Sequence, residues 1–180
     1  MFNKILVPIS HSQPDQLLVN RAIELAQTVG SQLIFLHVLS TEEEGSPDVS
    51  LVGVEAYASV ANEIATLHRE EWIAYEHHGN DMLQAHCQLA AAAGVTAEFT
   101  QHYGNVERVI CEVAQTQAAD LIVMGRRGHS GLKEFFAGSV SNYVLHHANC
   151  PVLVLQGTLL ASPAGESAAA AVDSDNQSQN

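Results

Sequence analysis

The residues with the most chemical content lie in one segment, Met124-Gly125-Arg126-Arg127-Gly128-His129-Ser130-Gly131-Leu132-Lys133-Glu134-Phe135-Phe136-Ala137-Gly138-Ser139-Val140-Ser141. Four glycines, Gly125, Gly128, Gly131 and Gly138, stand within fourteen residues. Glycine lets backbone N–H groups approach an anion with no Cβ in the way, and a helix start directly after such a loop adds unpaired donors and partial positive charge. Arg126, Arg127 and Lys133 are three of the seven cations of the chain, packed into eight residues. Phosphate binding is the chemistry this arrangement serves, with Gly138-Ser139 as the turn that holds the oxygens. A lone pair of glycines would mean only a soluble loop. The cations and the helix start give this one a reason to hold a ligand.

Other reactive residue types lack a supporting pattern. The ten histidines include His68, His77, His78 and His86 in one helix-favouring stretch, but no two of these stand three or four apart, so a solvated helix face accounts for them better than a metal site. Gly128-His129-Ser130-Gly131 has the start of a serine nucleophile elbow, yet G-x-S-x-G needs glycine where Leu132 stands. Glu42-Glu43-Glu44 reads as a solvated charge run, and the loop Thr41 to Pro47 as exposed and without a site. Trp72 and Tyr75, three apart, read as packing residues rather than a base-stacking platform.

The elements that must position the glycine segment alternate. Ile5-Leu6-Val7-Pro8-Ile9 is a short branched apolar run, stopped by Ser10-His11-Ser12-Gln13 and Pro14, and reads as the first strand. Ser12 and Asp15 resemble a capping box, with Leu18, Ala22, Leu25 and Val29 at helical spacing and Gly30 as the stop. Gln32 to Leu39 is the second strand. Leu51 to Ala93 favours helix, as one segment or as two broken at Gly79, and Gly94 ends it. Val95 to Tyr103 is the third strand, and Val106, Val109, Ile110 and Val113 form the stripe of the next helix. Leu121 to Met124 is the fourth strand. A last helix carries Val140, Val144 and Ala148, and Val152 to Leu155 is the fifth strand. Five strands separated by helical segments predict an α/β three-layer sandwich with a parallel sheet covered on both faces. The carboxyl ends of such strands are where open α/β sheets carry ligands.

Composition narrows the partners. With 20 acidic against 7 basic residues the formal charge is −13, which repels nucleic acid and anionic membrane surfaces alike. No apolar run reaches the roughly 20 residues of a membrane span and the first residues lack a signal-peptide layout, so the expectation is a cytoplasmic protein. Cys87, Cys111 and Cys150 lie far apart with no C-x-x-C pair, which fits reduced thiols. Residues 157–180 turn to Ala, Ser, Gly, Asp, Asn and Gln and read as a disordered tail after a single domain over 1–156.

Gly125, Gly128, Gly138 and Ser139 fit G-x2-G-x9-G-[ST], which resembles the nucleotide-binding signature of the universal stress protein family, ATP-binding type. Lys4-Ile5-Leu6-Val7-Pro8, His37-Val38, the Gly104 turn, Asp120 to Gly125 and Cys150 to Val154 are similar to that family's flanking segments, so the resemblance covers residues 1–156. It implies the sheet order 3-2-1-4-5. It also implies ATP or AMP as ligand, with a divalent cation accompanying the phosphates. The adenine then lies against Pro8, Ile9 and Val38. Met124, Gly125 and Gly128 line the ribose and phosphate path beside Arg127, and Gly138, Ser139, Val140 and Ser141 hold the phosphates. One position departs, because Ser10 stands where the family commonly has an aspartate facing the base or ribose. A homodimer through Val152 to Leu155 follows from the same resemblance. Three functions stay open: a nucleotide-binding regulatory or stress-response protein acting on an unknown protein partner, a weak ATPase or nucleotidyl-transferring enzyme, and a nucleotide-free interaction protein.

Overall fold

The computed structural model describes residues 2–10, 15–43, 45–47, 58–125 and 138–155. The expected cap at Ser12, Glu44, the loop 126–137 with Arg127 and Gly128, and the tail after Leu155 lie outside the described residues. Nine elements follow one another in the order β1 (Lys4–Ile9), α1 (Asp15–Val29), β2 (Gln32–Leu39), α2 (Ala58–Ala92), β3 (Ala97–Tyr103), α3 (Val106–Thr116), β4 (Leu121–Gly125), α4 (Ser139–His147) and β5 (Val152–Leu155). All five strands pair in parallel, in the order β3-β2-β1-β4-β5. β1 is therefore flanked by β2 on one side, from Lys4↔Gln32 to Ile9↔His37, and by β4 on the other, at Ile5↔Leu121 and Leu6↔Ile122.

The apolar pattern explains this layering. A parallel strand covered on both faces reads as an unbroken apolar run, and β2 is buried from Leu33 to Leu39. Alternate residues go to opposite layers. Ile5, Val7, Ile9, Leu33, Phe35, Leu121 and Val123 pack with Leu18 and Val19 of α1 and Leu83 and Ala90 of α2. Leu6, Ile34, Leu36, Val38, Ile122 and Met124 pack with Val109 and Val113 of α3 and Val144 of α4. Each fully buried Leu, Ile or Phe contributes roughly 1.5–3 kcal/mol. The two edge strands differ from the centre, since no residue of β3 is buried and β5 leaves Leu153 exposed.

One strand boundary is corrected here, and the choice left open between one helix and two is settled. Val95 is buried but precedes β3, which begins at Ala97. More importantly, α2 does not break at Gly79. The helix runs continuously for 35 residues, because the glycine answers a packing demand rather than a turn. A Cβ at Gly79 would lie 2.1 Å from Nε2 of Gln101 and 2.6 Å from Nδ1 of His37, so α2 can seat on β2 and β3 only where it has no side chain. At the amino end of the sheet, Asp120 clamps β1 to β4 by accepting the Asn3 amide at 2.8 Å and the Lys4 amide at 3.1 Å. Burial alone would raise that carboxyl, but these amides outweigh it and hold its pKa below the ordinary value.

Candidate functional site

The chain reverses its direction of spread across the sheet between β1 and β4, and the carboxyl ends of these strands open at that switch point. Side chains from four elements meet on the α3–α4 face there. Val38 and Met124 are buried in one cluster with Val140 packed against it, and Pro8, two residues after Leu6, shares their side of the sheet. Ile9 and Gly125 project to the opposite layer, where a Cβ on Gly125 would be 3.9 Å from Cδ2 of Leu18. Ser10 follows directly after β1 and is buried. The residues read as base- and ribose-facing thus split between two layers around one strand end, with Pro8, Val38 and Met124 together and Ile9 and Gly125 behind them.

The start of α4 has the geometry of an anion site. Gly138 is the N-cap residue, with φ −51° and ψ 155°, and no side chain caps the helix. The first-turn N–H groups of a helix have no partner within it, so those of Ser139, Val140 and Ser141 are left for something outside. Any residue can adopt a φ of −51°, so what glycine supplies here is clearance beside those donors. Ser139 is exposed, whereas Ser141 is buried with its Oγ donating to the Gly138 carbonyl at 3.0 Å. Its backbone amide, rather than its hydroxyl, remains for a ligand. The side chains of His146 and His147 in the last turn sit at the favourable, negative end of the helix dipole.

A family model described as "Universal stress protein family" matches residues 1–156. The chain belongs to that family. Universal stress protein Sll1388 of Synechocystis sp. is 34% identical to it over 155 residues, which is 86% of this chain and 98% of the relative. Among solved structures, universal stress protein UspA from Lactobacillus plantarum aligns with TM-score 0.62 and 24% identity over 86% of this chain and 97% of that one. A universal stress protein family protein from Arabidopsis thaliana, solved with AMP bound, aligns with TM-score 0.50 and 20% identity over 86% and 91%. At these identities the structural likeness is one of fold.

β2 of this universal stress protein carries a histidine, His37, and here sequence reading missed what surrounds it. Glu43 does not lie in a solvated charge run. It is buried, with its Oε2 3.0 Å from Nε2 of His37 and accepting the Tyr75 hydroxyl at 2.5 Å. The amide nitrogen of Gln101 meets His37 Nδ1 at 2.9 Å and also donates to the Glu76 carbonyl at 3.3 Å. With Nδ1 accepting, the imidazole proton sits on Nε2 and points at Glu43. A buried carboxylate is tolerated because it is paired and hydrogen-bonded. The signal was present in the strand itself, since His37 interrupts a run that is otherwise apolar and buried, and such a residue requires a polar partner. Tyr75 is buried, a packing residue as read, and the half-buried Trp72 lies edge-on against it with ring centroids 5.8 Å apart.

Among the described residues no group of three His, Cys, Asp or Glu is placed to hold a metal ion. His68 accepts from Nε1 of Trp72 at 3.0 Å, and His86 is buried against Phe35, where desolvation lowers its pKa. Cys87, Cys111 and Cys150 are free thiols, each with its pKa raised first by burial and then by neighbouring acids, which makes them poor nucleophiles. No helix among the described residues is long and apolar enough to cross a membrane.

Proposed function

We propose that this universal stress protein is a regulatory nucleotide-binding protein, with AMP or ATP lying across the carboxyl ends of β1, β2 and β4. The observation that carries this reading is the uncapped start of α4 beside the switch point, where the amides of Ser139, Val140 and Ser141 face outward from a residue without a side chain. The apolar wall of Pro8, Val38 and Met124 suits a purine, and the AMP held by the Arabidopsis relative supports the same ligand class. A divalent cation would arrive on the phosphates rather than on a protein cage, given the absence of a ligand cluster among the described residues. Occupancy then favours one conformation for a partner to read and needs no catalytic base. β5 lies at the sheet edge with its Leu153 uncovered, and it is the strand through which a second copy would pair.

Calorimetric titration of AMP and ATP into the wild type and Gly138→Val tests the proposal. The wild type should bind, and the variant should lose at least tenfold in affinity with an unchanged circular dichroism spectrum. Equal affinities in the two forms would remove the phosphates from the start of α4.

A further inference from the structure

A second pocket, of about 400 Å³, opens at the carboxyl ends of β2 and β3. Its lining runs from Trp72 of α2 to Asn105 at the start of α3, and none of it comes from β1, β4 or α4, so it is not a continuation of the start of α4. Two aromatic rings wall it. Trp72 of α2 and Tyr103 at the end of β3 have centroids 6.3 Å apart and planes inclined by 48°, forming a wedge that opens toward solvent. Glu42 closes the wedge from the β2 side, exposed, with no hydrogen bond or ion pair to its carboxylate among the described residues.

The charge of this pocket has one sign. None of its described lining residues is Lys or Arg, and neither Arg69 nor Arg108, the cations nearest in sequence to Trp72 and Asn105, reaches it. A second carboxylate, Glu76, accepts the Tyr103 hydroxyl at 2.8 Å. That hydrogen bond is the first cause of a raised Tyr103 pKa, ahead of burial and of the Glu76 charge, so the ring stays a neutral phenol. α3 begins at the rim, but Asn105 already caps its Arg108 amide and Glu107 already offsets its dipole, which removes the usual attraction of a helix start for an anion.

The walls are also held in place. Glu43, fixed by Tyr75 and His37, anchors the segment that carries Glu42 onto both α2 and β2. The Gly104 amide donates to the Leu39 carbonyl at 3.1 Å and ties the end of β3 to the end of β2. An electron-rich aromatic wedge with an unpaired carboxylate at its mouth is the recognition geometry of an organic cation, because ring faces attract ammonium groups and the carboxylate supplies the counter-charge. We propose that this pocket binds a small free organic ammonium ion, of the polyamine or methylated-ammonium class, held between Trp72 and Tyr103 and paired with Glu42. A nucleotide is disfavoured there, because its phosphates would meet the Glu42 carboxylate.

Trp72 is the single tryptophan of the chain, so its fluorescence reports the pocket directly. The full chain is titrated with spermidine and with tetramethylammonium chloride against sodium chloride of matched ionic strength. A saturable change in emission with at least one of the two ammonium probes, absent with sodium chloride, is expected. Glu42→Gln, at an exposed position, should weaken it at least fivefold, and Tyr103→Leu similarly, while Tyr103→Phe keeps the ring and retains most of the affinity. The proposal is overturned if sodium chloride produces the same change, if Glu42→Gln and Tyr103→Leu bind as the wild type does, or if AMP alone perturbs Trp72. Binding of an oligolysine peptide without binding of either free ammonium would also overturn it, in favour of a protein partner. Gly138→Val should leave the ammonium titration unaltered, which keeps this result separable from the test of the nucleotide site.

Discussion

The two halves of the sheet's carboxyl end solve the same problem in opposite ways. Around β2, β3 and α2, polar groups are turned on one another: Glu43, His37, Tyr75, Gln101 and the Glu76 carbonyl form a buried hydrogen-bonded chain across three elements. Around β1, β4 and α4, the helix start carries no side-chain cap and the last strand leaves an apolar residue uncovered. Polar groups satisfied inside the fold become wall. Donors and edges left open are where an external partner has most to offer, since an unpaired backbone donor or strand edge gains more from one than a paired group can.

The sharpest way to break this contrast is Glu43→Ala. Removing the shared acceptor leaves the Tyr75 hydroxyl and the His37 ring buried without it, which should cost about 2–4 kcal/mol in urea unfolding. A loss below about 1 kcal/mol would mean that water or another group replaces the carboxylate, and that this half is no more closed than the other. Gly79→Ala comes next. Alanine gains about 1 kcal/mol of helix propensity over glycine, but its Cβ falls 2.6 Å from a fully buried histidine ring that has no room to retreat. The amide of Gln101 can swing away, and that ring cannot, so a net loss of roughly 1–2 kcal/mol is expected from overpacking. A more stable Gly79→Ala protein would show that α2 does not press on β2. The smallest effect on folding belongs to the open half. Leu153→Asp, at an exposed position of β5, should change unfolding by under about 0.5 kcal/mol. Sedimentation should nevertheless move it from dimer to monomer at micromolar concentration, and a wild type that is already monomeric would remove β5 as an interface.

What was legible in the sequence follows the same division. β2 and β5 begin and end where their apolar runs do, and the order of strands and helices follows from alternating periodicity, because continuous burial on two faces writes itself into consecutive residues. The start of α4 after Gly138 was legible through local spacing, since the glycine stands directly before the helix it opens. The closed half was not. Glu43 meets Tyr75 from 32 residues away and Gln101 meets His37 from 64, so neither contact leaves a local pattern. Gly79 left one helix or two open for the same reason: a glycine in a helix is locally compatible with a break, and only the approach of β2 and β3 shows that it is a clearance. Trp72 and Tyr103 lie 31 positions apart and become one wedge only once α2 crosses the end of the sheet.

The length of α2 has a mechanical consequence. At 1.5 Å per residue its 35 residues span about 52 Å, whereas the seven residues of β3 span about 23 Å, so the helix overhangs the sheet it covers. Among its described side chains the buried positions are Tyr75, Gly79, Leu83, His86 and Ala90, from the middle of the helix onward, and none between Ala65 and Ala74 is buried. The described part of α2 is thus held from Tyr75 onward. Backbone hydrogen bonds should open more easily between Ala65 and Ala74 than toward Ala92. Trp72 stands one turn before that held stretch, where a bound ammonium ion would extend it by a turn.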